Sequence, residues 1–157
     1  MRRSNPCLQG LIGVAAAIDW FTRAGYLVSI PLNDSQPYDL VVDDGMRLLR
    51  VQVKTTTSRG PYGNFVVRLE TAGGNQSLST RKPFDNSSSD LLFALTDDDD
   101  VYIVPCSAIR TRRTLNMCAK YDCYRQPRRP DPDAVRSGWP ADAGQAGGGR
   151  RIRTFEG

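Results

Sequence analysis

Histidine is absent from all 157 residues. That lack excludes Ser-His-Asp and Cys-His nucleophilic chemistry, histidine metal ligands and a histidine general base. Cysteine is scarce. Cys7, Cys106, Cys118 and Cys123 are the only four, and no two form a CxxC pair. Scattered thiols without histidine make a poor zinc set. They fit a cytoplasmic protein with reduced thiols better than a disulfide framework. Long apolar runs are missing too. The apolar run at 11–18 is too short for a bilayer span, which takes roughly 20 residues. It leads into Asp19 and Trp20 on a helical pattern, unlike a secretory signal. There is no internal repeat.

What the chain does carry is charge, unevenly spread. Residues 1–106 hold ten basic and twelve acidic side chains, a net of −2, and residues 107–157 hold eleven and five, a net of +6. A basic end on a near-neutral body suits a polyanionic partner, although a solvated tail has the same signature. The length suits one domain with a single modest core. Residues 127–149 are rich in proline, glycine and charge. We therefore expect a folded domain over 1–126 and a disordered basic tail over 127–157.

The pattern along the domain predicts a helix from Gln9 to Ala24, with Leu11, Ala15, Ile18 and Phe21 on its apolar face and Gly25 ending it. Tyr26–Leu32 reads as a strand kept at an edge or end by Pro31. Tyr38–Asp43 and Arg47–Thr56 read as two strands joined at Asp43-Asp44-Gly45. A further strand is expected over Asn64–Glu70, then a long polar loop to Ser89. Asp90–Thr96 and Val101–Val104 read as a hairpin whose turn, Asp97–Asp100, is a solvated tip rather than a metal site. Ser107–Ala119 is expected to be a short helix with Arg110, Arg112 and Arg113 near its start, where positive charge opposes the helix dipole.

The hairpin at 38–56 holds the candidate chemistry. Asp39, Val41 and Asp43 alternate onto one face of the first strand, and Arg50, Gln52 and Lys54 onto one face of the second. If the strands pair, Asp39 and Gln52 can converge as hard oxygen donors suited to Mg²⁺ or Mn²⁺. Lys54 lies two residues beyond Gln52, about 7 Å along the same face. An ordinary hairpin with a polar outer face would show the same three residues.

The order of elements narrows the choice. IG at 12–13, GYLVSIPL at 25–32, YDLVVD at 38–43, VQVKTT at 51–56 and VYIVP at 101–105 together resemble the PD-(D/E)XK nuclease superfamily, in its glutamine-containing branch. That branch includes homing endonucleases and relatives of Holliday-junction resolvases. The resemblance runs from about Gly10 to Pro105. It implies an α/β fold with a restriction-endonuclease-like core: a mixed β-sheet of about five or six strands packed by the N-terminal helix. It also implies a metal-dependent DNA endonuclease that hydrolyses phosphodiester bonds. Asp39, Gln52 and the backbone carbonyl of Val53 would hold Mg²⁺ or Mn²⁺, and Lys54 would assist the attacking water. DNA contacts would fall to Arg50, Arg59, Arg81 and Lys82, with the Arg110–Arg113 cluster nearby. Meeting two DNA strands implies a homodimer or higher oligomer. Two departures stand out. Tyr38 replaces the motif proline, and Val14 stands where many relatives carry a glutamate on the first helix. With Gln52 neutral, one carboxylate remains. The alternative is a catalytically weakened or inactive DNA-binding protein on the same fold.

Overall fold

The structure, a computed structural model, describes residues 5–33, 35–72 and 81–132. Helix α1 spans Pro6–Arg23 and begins three residues earlier than the apolar pattern predicts. The side chain of Asn5 caps it by accepting the Leu8 N–H at 3.2 Å, and Pro6 occupies the first turn, where no N–H is needed. The inner face also differs from expectation. Gly13, Ala17, Trp20 and Phe21 are buried, whereas Leu11 is 67% exposed. The cause is close approach. A Cβ on Gly13 would lie 2.5 Å from Cγ2 of Thr55, so only the smallest side chains fit where the helix meets the sheet.

The strands follow in chain order: β1 Leu27–Ser29, β2 Leu40–Asp43, β3 Leu48–Thr56, β4 Phe65–Arg68, β5 Thr71–Ala72, β6 Arg81–Lys82, β7 Leu91–Thr96, β8 Val101–Pro105, β9 Thr114–Met117 and β10 Arg125–Gln126. Six of them form the main sheet in the order β1-β2-β3-β7-β8-β10. It is mixed: β3 and β7 run parallel, and the other neighbours are antiparallel. The parallel step needs a crossover. Residues 57–90 supply it, and they include β4, which leaves the main sheet to pair with β9. β5 and β6 pair with each other at the two ends of the polar stretch whose middle, 73–80, lies outside the described residues. β1 sits at the edge, as Pro31 requires.

The helix expected over Ser107–Ala119 does not form. Cys106–Ala108 make one 3₁₀ turn, and Thr114–Met117 are a strand. Leu115 and Met117 alternate inward while Thr114 and Asn116 face out, a period-two pattern that suits the partner β4. A partner that far away in sequence leaves no local signal.

Two apolar layers flank the main sheet. On one face α1 covers Leu40, Val42, Leu49, Val51, Val53 and Phe93. On the other, the β4–β9 pair covers Leu92, Ala94, Tyr102 and Val104 with Phe65, Val67, Leu115 and Met117. That second layer lies over β7 and β8. The same face of β2 and β3 carries the polar series Asp39, Arg50, Gln52 and Lys54 instead. The fold continues past 126. The indole N–H of Trp20 donates to the Pro127 carbonyl at 2.9 Å, and Pro130 is buried. The rest of the expected tail, 133–157, lies outside the described residues.

Candidate functional site

Asp39 sits at a bend just before β2. Its N–H donates to the Val51 carbonyl at 2.9 Å, and Val51 is also the residue opposite Leu40. Two residues of one strand therefore meet one of the other, a bulge-like arrangement that re-aims a side chain. The Asp39 carboxylate turns across β3. Its Oδ2 accepts the backbone N–H of Val53 at 2.6 Å and the side-chain amide of Gln52 at 3.3 Å. Both bonds end on Oδ2, and neither engages Oδ1. β2 does not extend far enough to satisfy the Val53 N–H with backbone, so the side chain replaces the missing strand.

Gln52 is 7% exposed, which makes it one of the few buried polar side chains. A buried amide is costly without partners, and Asp39 supplies one. Lys54 lies on the same face, opposite Ala94 as Gln52 is opposite Leu92. Burial pushes the Lys54 ammonium below its ordinary pKa, and the nearby Asp39 charge pulls it part of the way back up. A lysine with a depressed pKa beside a carboxylate marks a chemical site more often than a plain surface. The structure thus brings Asp39, Gln52, Val53 and Lys54 together on one stretch of two strands.

Among the described residues, Asp39 is the one carboxylate that bonds Gln52 and Val53 and acts on Lys54. Val14 is partly buried and packs on the apolar cluster under α1. Asp43 is at the far end of β2, where it accepts the Gly45 N–H at 2.8 Å and shapes the turn. Among the described residues there is no group of three or more His, Cys, Asp or Glu side chains placed to hold a metal. Cys106 offers no alternative chemistry: burial pushes its thiol up to about 12, so it is an inert core residue.

The arginines divide into two kinds. Arg50 is clamped by Asp90 through Nε to Oδ2 and Nη2 to Oδ1, both at 3.1 Å, and Asp90 also accepts the Arg50 N–H at 2.8 Å. Its Nη2 also donates to the Ser87 carbonyl at 3.2 Å. Arg59 pairs with Asp98 at 2.6 Å and lies over the Phe65 ring. Arg128 and Arg125 pair with Asp99 and Asp100. The aspartate turn is therefore a docking point for three arginines rather than a bare solvated tip. Lys82 is exposed on β6, and the Arg81 side chain lies outside the described residues. Arg110 and Arg112 are exposed in the loop before β9. Sequence reasoning missed Asp90, which locks the start of β7 to β3. Forty residues separate it from Arg50, and nothing local announces the pair.

Comparisons with known proteins bear on the family and the fold. The PD-(D/E)XK endonuclease family matches the chain over residues 5–130. Among solved structures, a bacterial homing endonuclease is 29% identical, with a TM-score of 0.63 over 80% of this chain and 86% of its own. No curated protein sequence matches. The family match spans most of the chain, including the whole main sheet and the Asp39–Lys54 stretch, and the chain belongs to the PD-(D/E)XK endonuclease family.

Proposed function

We propose that the chain is a metal-dependent DNA endonuclease that hydrolyses phosphodiester bonds at a centre built from Asp39, Gln52, Val53 and Lys54. The observation that carries this reading is the Asp39 carboxylate, anchored on the Val53 N–H at 2.6 Å and joined there by Gln52. The donors fit a hard divalent cation. Asp39 offers a carboxylate oxygen, Gln52 an amide oxygen once its amide turns over, and Val53 a carbonyl on the strand edge that faces Asp39. Mg²⁺ needs only one or two protein carboxylates alongside substrate phosphate and water, so a single acid is a weak but sufficient set. A bound Mg²⁺ or Mn²⁺ would supply an acidified water and neutralise the leaving oxygen.

The chain's own residues do the rest. The Val53 N–H fixes Asp39 before any ligand arrives, so little reorganisation is needed. Lys54 projects a positive charge from a partly desolvated site, where charge acts more strongly than in water. It can orient the water and offset charge on the phosphate in the transition state. Lys82, Arg81 and the exposed arginines before β9 are the candidates for backbone contact. Arg50 and Arg59 are already bound to aspartates and contribute less.

A second reading, DNA binding without catalysis, is favoured by one observation: Val14 packs into the apolar cluster and brings no second acid. Titration calorimetry with a short duplex present separates the two. We expect Mg²⁺ or Mn²⁺ to give binding heat with the wild type and none with Asp39→Asn. A wild type that binds DNA in a salt-sensitive way but gives no metal heat would establish the binding module instead.

A further inference from the structure

We propose that a notch outside the Asp39–Lys54 centre is a seat for a DNA backbone phosphate; this rests on the nuclease reading above. Phe84, Asn86, Ile109, Arg110, Thr111 and Arg112 line a cavity of about 220 Å³. Phe84 and Ile109 are buried at 5% and 1% exposure and make an apolar floor. Asn86, Arg110, Thr111 and Arg112 complete the lining with polar and charged residues. The Phe84 N–H donates to the Arg112 carbonyl at 2.9 Å, which ties the two sides of the notch together.

The charges in the notch are uncommitted. Arg50, Arg59, Arg125 and Arg128 each have a carboxylate within ion-pair distance. Among the described residues, Arg110 and Arg112 have none. Asp85 feels the Arg112 charge without forming an ion pair with it; its Oδ1 accepts the Ser87 N–H at 2.9 Å and the Ser87 hydroxyl at 2.7 Å. Two arginines held at a polar notch without an internal partner suit an external anion. The planar guanidinium matches phosphate geometry.

Placement selects the DNA backbone. Leu40, Val51, Leu91 and Pro105 stand opposite one another across β2, β3, β7 and β8. Asp39 enters the sheet at this row from the Gln52 side, because β2 runs antiparallel to β3, and the loops that build the notch leave it on the Arg50 side, before Leu91 and after Pro105. The face is also shared. Phe84 and Ile109 pack in the cluster of Leu92 and Ala94, which stand opposite Gln52 and Lys54. The loop between them is docked on both sides: Ser89 Oγ donates to the Pro37 carbonyl at 3.3 Å, two residues before Asp39, and Asp90 clamps Arg50. β2 and β8 are three strand spacings apart, about 14 Å. One duplex laid across this face can present one phosphate to the notch and another to Asp39.

The test uses the full chain, a short labelled duplex and chelator in place of metal, with anisotropy read across a salt series. The pair Arg110→Gln/Arg112→Gln is expected to weaken binding. It should also flatten the slope of log affinity against log salt by about 0.9 for each lost contact. Arg110→Lys/Arg112→Lys should keep most of the slope, because the charge remains. A glutamine pair with wild-type affinity and slope overturns the seat while leaving the nuclease reading untouched. A wild type that binds no duplex at low salt overturns both. Thermal melting of each variant at the wild-type temperature shows that the effect is not misfolding.

Discussion

Asp39 supports both the backbone of β3 and the charge of Lys54. The aspartate does a strand's work by accepting the Val53 N–H, and its charge offsets part of the burial that lowers the Lys54 pKa. The folded pKa of Lys54 is therefore below its unfolded value of about 10.5. Between the two values the unfolded chain binds more protons, so stability rises with pH through that window. Below both values the cost of burying the charge is fully present. Lys54→Met should then stabilise the fold by about 1 kcal/mol near pH 7, in the usual range for removing a strained functional group. The gain should shrink as pH approaches 10.5, and cleavage should be lost. Melting curves of both proteins across pH check this. A methionine variant that melts lower at pH 7 would mean that Lys54 is not strained by burial.

The packing of α1 on β3 turns on Gly13. Gly13→Ala improves helix propensity by up to about 1 kcal/mol. Its new methyl group would meet Thr55 Cγ2 at 2.5 Å, and a branched side chain in a central strand has little room to move. Overpacking of this kind costs about 1–3 kcal/mol, so the clash should win and lower the melting temperature. An alanine variant that melts higher would show that the helix sits further out. The same contact explains what the sequence hid. The strands at 40–43 and 48–56 were legible to within two residues because their apolar and polar side chains alternate. The hairpin at 91–105 was legible for its apolar runs and aspartate turn. The face of α1 was not legible, because Gly13 and Ala17 are selected by proximity while hydropathy favours Leu11. Nor was β9, whose period-two pattern is only four residues long and whose partner lies about fifty residues away.

Across the whole molecule, one sheet face is divided between two uses. The β4–β9 pair covers β7 and β8 with apolar side chains and leaves β2 and β3 to carry the polar series. The convergence of Asp39, Gln52 and Lys54 could be read from the motif, because strand alternation fixes which side chains share a face. The fates of the arginines could not be read. Their partners at Asp90, Asp98, Asp99 and Asp100 are 25 to 40 residues away, so only the folded chain separates committed charges from free ones. The central claim is that Asp39 and Lys54 perform phosphodiester hydrolysis. The direct measurement is cleavage of supercoiled and branched DNA by wild type, Asp39→Ala and Lys54→Ala, each with Mg²⁺ or Mn²⁺. The account predicts metal-dependent cutting by the wild type and a loss of roughly 10²-fold or more in each variant, as expected when a group that stabilises transition-state charge is removed. Equal cleavage by all three proteins would contradict it.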